Sequence, residues 1–335
     1  MRRRFLVSGH TDGSVQVRDP AAAGRPLAHR VLSAHPVLSL VAAERDGRPV
    51  VFMVDGSGDV RGWRLPDLVP VGPALSGHDP EAYLATALLG GRQLLVVADW
   101  DRLQVWDPVD GVPIREVSTG CAAMTVGVAA GRVVAACAGW HTGRYADTVR
   151  LVDLSSGELG APLPGTRTDT SVTALAISAT GQLLAGDHNG WVTRWDLADS
   201  RQLGRPWQAY ELASCLGRPA VHALDIGTVA GRPVLVAGGW DGEIRGWDLT
   251  DATAGDRIGQ PLTDDGYEPD DPDDPDDPDD ADDADDDSAL AALAFVGDSL
   301  AAGGAERLLR LWDLTTGTVV RRWHTGSATS SLVVA

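Results

Sequence analysis

Few residues in this chain have the type and spacing that covalent chemistry needs. In the first of the two apolar segments of each repeat, the only acidic or imidazole side chains are His222 and Asp225, residue types that a catalytic or metal site would use, with a satisfied structural pair as the alternative. Three positions apart on an extended strand, they are expected to point to opposite faces and not to share an ion. No G-x-S-x-G elbow, H-E-x-x-H pair or Walker loop occurs. Asp12-Gly13-Ser14 and Asp55-Gly56-Ser57-Gly58-Asp59 carry calcium-loop residue types but lack the EF-hand spacing and its closing glutamate, so both read as turns. Cys121, Cys137 and Cys215 contain no C-x-x-C and no even framework, which points to small buried thiols rather than zinc ligands or disulfides. These readings predict a chain that is not an enzyme and needs no cofactor or metal.

A second set of residues suits recognition instead. Trp100 precedes Asp101, His188 precedes Asn189, Trp240 precedes Asp241, and Trp140 stands in the corresponding place before His141. Turns do not ordinarily need large apolar side chains, and exposed Trp is the side chain most enriched at binding hot spots. The alternative is that each ring folds down over its own turn. Tyr83 and His222, early in two of the apolar segments, are expected to border the same surface.

The elements that must position these residues follow from a repeat. Gly238-Gly-Trp-Asp-Gly-Glu-Ile-Arg-Gly-Trp-Asp-Leu249 reads as a D-G turn followed by a strand ending in Trp-Asp. Matching segments end at Arg18-Asp19, Trp63-Arg64, Trp106-Asp107, Val152-Asp153, Trp195-Asp196 and Trp312-Asp313, mostly about 45 residues apart. We call this segment strand c. Ahead of each but the first, a glycine turn such as Asp46-Gly47, Gly90-Gly91, Ala130-Gly131 or Ala230-Gly231 joins two apolar strands, a and b, as a hairpin. After each comes a strand d marked by proline in all but the last unit, as in Val71-Gly-Pro-Ala74 and Gly111-Val-Pro-Ile114. Proline lacks an N–H and so belongs on an edge. The chain enters at strand b, near Phe5-Leu-Val-Ser8, and ends in Ser331-Leu-Val-Val-Ala335, which reads as the missing strand a. Pairing the two would close the set and remove its open edges.

In these landmarks the chain resembles the WD-repeat (WD40) family over nearly all its length. The resemblance implies an all-β fold: one seven-bladed β-propeller over residues 1–335, with four-stranded antiparallel blades and a ring closed by the C-terminal strand a on the N-terminal strand b. It places the b–c turns on the top face, where partner peptides commonly bind, and puts Trp100, Trp140, His188 and Trp240 on blades three to six there. Within a blade of this family a d–a loop His, a strand b hydroxyl, the turn Asp and the strand c Trp form a hydrogen-bonded tetrad. Here each tetrad is incomplete: Trp247 has Asp241 but Gly238 where a hydroxyl belongs, Trp106 has His78 with Asp101 one residue too close, and Trp195 has Asn189. The tryptophans are therefore expected to serve in packing between blades.

The formal net charge of −19 is not spread over the ring. Residues 264–287 hold fifteen Asp and Glu268 with no base, leaving 31 acids against 28 bases elsewhere. Its D-D-P repeats forbid helix and ladder, so it reads as a disordered acidic insertion between blades six and seven. No basic stripe for nucleic acid remains, and no run approaches a membrane span. A signal peptide is not expected either, because the apolar run behind the N-terminal arginines is too short. Every base is Arg, as a GC-rich bacterial genome would write. The expectation is a monomeric, cytoplasmic bacterial scaffold for a protein or peptide partner, of the kind that accompanies signalling or defence-type modules. The rival is a propeller hydrolase or lactonase with its site in the central channel, against which the apolar strand a segments argue.

Overall fold

The computed structural model describes residues 4–22, 24–79, 81–140, 147–166, 170–211, 219–239, 241–250, 256–263 and 290–335. They form seven antiparallel sheets arranged as the blades of a β-propeller. The inner strands a are Val37–Arg45, Tyr83–Leu89, Ala123–Ala129, Val172–Ile177, Val221–Val229, Leu290–Val296 and Thr329–Val334. Strand b pairs with strand a and strand c with strand b, while strand d lies outermost, as its prolines require. In blade four the outer segment is held by Gly160 N–H to Leu151 O (2.8 Å) and Leu163 N–H to Val149 O (2.8 Å). Pro162 has no N–H to extend that pairing into a ladder. In blade five Gly204 and Pro206 divide the outer strand into Arg201–Gln202 and Trp207–Gln208.

Local chemistry sets the turns. Asp46-Gly47, Gly90-Gly91, Ala130-Gly131 and Ala230-Gly231 all have positive φ at both residues, the type I′ geometry whose twist matches a tight hairpin. The Asp after the Trp position performs a different task. Its Oδ1 accepts the N–H two residues on, from Asp19 to Ala21 (3.0 Å), Asp107 to Val109 (2.8 Å), Asp153 to Ser155 (2.9 Å), Asp196 to Ala198 (2.9 Å), Asp248 to Thr250 (2.8 Å) and Asp313 to Thr315 (2.8 Å). The repeated Asp is thus the Asx turn that leads from strand c to strand d. Arg64 stands in its place in blade two.

The ring closes as the two ends of the repeat predict. Leu6 pairs with Val334, Val7 with Val333, Ser8 with Leu332 and Gly9 with Ser331. Reciprocal 2.9 Å bonds between Phe5 and Ala335 complete the ladder. The core is divided into wedges between blades. Trp312 of blade seven packs with Val234 and Val236 of blade six, Trp247 of blade six with Leu184 and Val192 of blade five, and Trp63 of blade two with Phe5 and Val7 of blade one. These buried tryptophans take the packing role expected of them.

Candidate interaction face and central channel

The seven strands a surround a channel of about 660 Å³. Because they splay from blade to blade instead of pairing, their backbone groups need other partners. Small polar side chains supply them. The Ser330 hydroxyl donates to Gly9 O of its own blade and Val37 O of the next, and Thr173 donates to Gly186 O and Val221 O in the same way. Ser331 Oγ accepts the N–H of Leu40 at 2.9 Å and Ser39 Oγ that of Leu84 at 3.3 Å. Asp225 accepts from its neighbour Ile226 (2.8 Å) and from Phe295 in blade seven (3.0 Å). Desolvation raises its carboxyl to about 6, against the lowering pull of those two N–H groups.

His222 and Asp225 both border this channel, which corrects the expectation that strand alternation would part them. A register shift between Val221 and Ala223 inserts His222 as a bulge residue, at the place Thr173 and Ser330 occupy in their blades, so simple two-residue alternation does not hold there. Among the described residues no three His, Cys, Asp or Glu side chains gather as a metal site would require. Tyr83, 36% exposed, also lines the channel and occupies the Ser39 and Ser331 position of blade three.

On the face bearing the b–c turns, blade three differs from blades one, two and five, whose turns contain Gly13, Gly58 and Gly190. Its turn is closed by Asp99 N–H to Arg102 O at 2.9 Å, leaving Trp100 and Asp101 as a two-residue loop without glycine. Trp100 is pushed outward and is 43% exposed, with Nε1 donating to Glu81 Oε2 at 2.9 Å. His188 is likewise exposed at the equivalent turn of blade five. Trp140 ends strand b of blade four opposite Asp147. Trp240 lies outside the described residues, as does the acidic segment 264–287.

The acids that order these turns precede the ones the repeat suggested. In blade three the buried acid is Asp99, not Asp101; it accepts the N–H groups of Asp101 and Arg102 and contributes a counter-charge near His78. Burial nevertheless lowers the His78 pKa, and the ring meets Trp106 edge-on at 5.7 Å. In blade five Asp187, not Asn189, accepts the N–H groups of Asn189 and Trp191 at 2.9 Å. Blade six departs further. A Cβ on Gly238 would meet Leu290 Cβ at 3.0 Å and one on Gly239 would lie 2.4 Å from the Tyr210 ring, so glycine here makes room where a hydroxyl was sought. Tyr210, fully buried, donates from its hydroxyl to Ala237 O (2.8 Å) and Glu243 O (3.0 Å). The Arg245 guanidinium lies 4.2 Å above its ring and bonds Asp241 and Glu243. Tyr210, which follows the outer strand of blade five, is thereby bonded to blade six.

No protein-family model matches the chain, and no curated protein does. Among solved structures it is similar to the crystal structure of the computationally designed Ika8 protein, with TM-score 0.60 and 22% identity over 99% of this chain and 87% of that one. At that identity the likeness shows the fold alone. Among the described residues no helix is long and apolar enough to cross a membrane.

Proposed function

We propose that this chain is a non-enzymatic, WD40-type interaction scaffold of the bacterial cytoplasm. In this reading a monomeric ring offers its b–c turn face to a protein or peptide within a signalling or defence-type complex. The observation that carries the reading is Trp100, a large apolar ring 43% exposed on a two-residue turn where packing does not require it. His188 is exposed at the matching turn two blades on, and Trp140 and Trp240 hold the same place in the sequence of the blades flanking it. The channel supports a structural rather than catalytic role, since the hydroxyls of Ser330 and Thr173 and the carboxylate of Asp225 are engaged with backbone groups of adjacent blades. Trp100→Ala should keep the melting temperature of the parent and lose the partner that the parent captures from its host. A partner retained in full by Trp100→Ala and by Trp240→Ala would defeat this reading.

One observation favours a second reading, a hydrolase. Asp225, with its pKa raised to about 6 by burial, borders the same channel as His222, and an acid tuned toward neutrality is what general acid–base catalysis uses. Ester or lactone hydrolysis abolished by Asp225→Asn in folded protein would support it.

A further inference from the structure

The position after the strand c Trp is Asp in six blades and Arg64 in blade two. In blades three, four and six that Asp meets the arginine that opens strand b: Arg92 with Asp107, Arg132 Nη1 with Asp153 Oδ2 at 3.9 Å, and Arg232 Nη1 with Asp248 Oδ2 at 3.7 Å. Blade two keeps the opening arginine, Arg48, but its register sets Arg64 opposite Val50, where the others set Asp153 opposite Val134 and Asp248 opposite Val234. A second departure lies beside the first. The last residue of strand a, across from the opening arginine, is Leu89, Ala129 or Val229 in those blades and Arg45 in blade two.

Two changes of residue type thus replace a cation–anion pair by three guanidinium groups at the end of blade two opposite its b–c turn. All three border one cavity of about 400 Å³, together with Gly72. Gly72, at φ 71°, lies beside them: a Cβ there would be 3.4 Å from Arg45 Nη1, in ordinary contact, and 3.0 Å from Pro108 O. Asp46 borders the cavity too, but no ion pair joins it to the arginines. None of the three arginine side chains has an ion-pair or hydrogen-bond partner among the described residues. Like charges collected in one blade cost stability when nothing neutralises them, and planar guanidinium forks are matched to oxyanions.

We propose that Arg45, Arg48 and Arg64 form a binding site for a phosphate-type oxyanion, either free phosphate or the phosphate group of a phosphorylated peptide. A tetrahedral dianion presents acceptor oxygens to three donors at once, whereas a carboxylate presents one edge. The site stands apart from the turn face and does not depend on how that face is used.

Arg64→Asp is the decisive variant, because it restores the residue that the other six blades carry and so re-forms the pair with Arg48. In the full chain, phosphate should raise the melting temperature above that in chloride at matched ionic strength, as a ligand of the native state does. Arg64→Asp should melt at or above the parent in chloride, show no phosphate-dependent rise, and bind inorganic phosphate at least tenfold more weakly by calorimetry. Arg48→Gln should weaken binding without restoring a pair. A phosphoserine peptide that binds more tightly than inorganic phosphate, while its unphosphorylated form does not bind, assigns the site to phosphorylated protein. Equal affinity for the two phosphates assigns it to the free ion. Absence of calorimetric heat and of any melting shift at millimolar phosphate, or equal affinity in the parent and Arg64→Asp, overturns the proposal.

Discussion

The Asp225 carboxylate on strand a of blade six accepts the Phe295 N–H of blade seven at 3.0 Å. It spans the one blade junction whose chain connection carries the long acidic segment, so the two blades are held together at the channel wall as well as through their side-chain core. Ser330 to Val37 and Thr173 to Val221 do the same for the junctions of blades one and two and of blades five and six. A ring of blades is stable only as its weakest junction, and these bonds close backbone groups that the splay of the inner strands leaves open.

Asp225 makes stability depend on pH in a way that separates from the rest. Its folded pKa of about 6 lies above the ordinary aspartate value of 3.8, so the folded state binds the extra proton and stability falls as pH rises from about 3.8 to 6. The neighbouring inner strands, Val172–Ile177 and Leu290–Val296, contain no charged residue to oppose this; His222 is the other titratable group on its own strand that borders the channel. His10 runs the other way. Burial lowers it from 6.5 to about 4, so stability rises with pH over that window. Each shift corresponds to about 3 kcal/mol, and the two largely cancel. Denaturant titrations of Asp225→Asn between pH 4 and 6.5 should therefore show stability climbing with pH, and those of His10→Gln should show it falling. Parallel curves for parent and variants would remove the assignment.

The hydroxyl bridges carry a simpler expectation. Ser330→Ala and Thr173→Val should each cost about 1 kcal/mol for a lost hydrogen bond, rising toward about 3 kcal/mol if the abandoned carbonyl finds no water. The two sites lie in different junctions, so the double variant should show additive losses. Urea unfolding of the four proteins tests both magnitude and additivity.

The repeat made the architecture legible because each blade restates the same constraints. Trp-Asp marks the end of strand c since Trp fills the wedge between blades and Asp nucleates the following turn, and the strand b near Phe5 and the strand a near Ser331 pair in the structure as the repeat predicts. The site was less legible because it depends on departures from the repeat. The b–c turn of blade three is one residue short, which made Asp101 look like the turn acid when Asp99 fills that role. The bulge at His222 moves a side chain by one position, enough to bring it to the channel with Asp225, and no periodicity in the strand signals a bulge. Gly238 reads as a missing hydroxyl, whereas Leu290 occupies the space beside it and Tyr210 the space beside Gly239. A hydroxyl at matching places in Thr173 and Ser330 was the available signal for the bridges.

Closure should matter more than any single bond. Removing Gly326–Ala335 deletes the inner strand paired with Leu6–His10 and exposes an unpaired edge, which favours association between chains. Size-exclusion chromatography and thermal melting of the truncated chain should show aggregation and a markedly lower transition. A monomer melting with the parent would mean that the closing strand contributes nothing.

Tyr210 and Gly239 permit a test of complementarity between blade six and the connection that enters it. A methyl group added at Gly239 would sit 2.4 Å from Tyr210 Cε1, with two more ring carbons inside 3.0 Å, and the ring cannot retreat because its hydroxyl is bonded to Ala237 O and Glu243 O and its face is covered by Arg245. Overpacking of this kind typically costs about 1–3 kcal/mol, so Gly239→Ala should destabilise by that order. Tyr210→Phe removes the two hydroxyl bonds and should itself cost about 1–2 kcal/mol, yet it frees the ring to shift. In the double variant the loss should fall short of the sum, because the released ring can move away from the new methyl group. A strictly additive cycle, measured by urea unfolding, would show that the Gly239 position accommodates the methyl through its own backbone and that the Tyr210 anchor is not what demands glycine there.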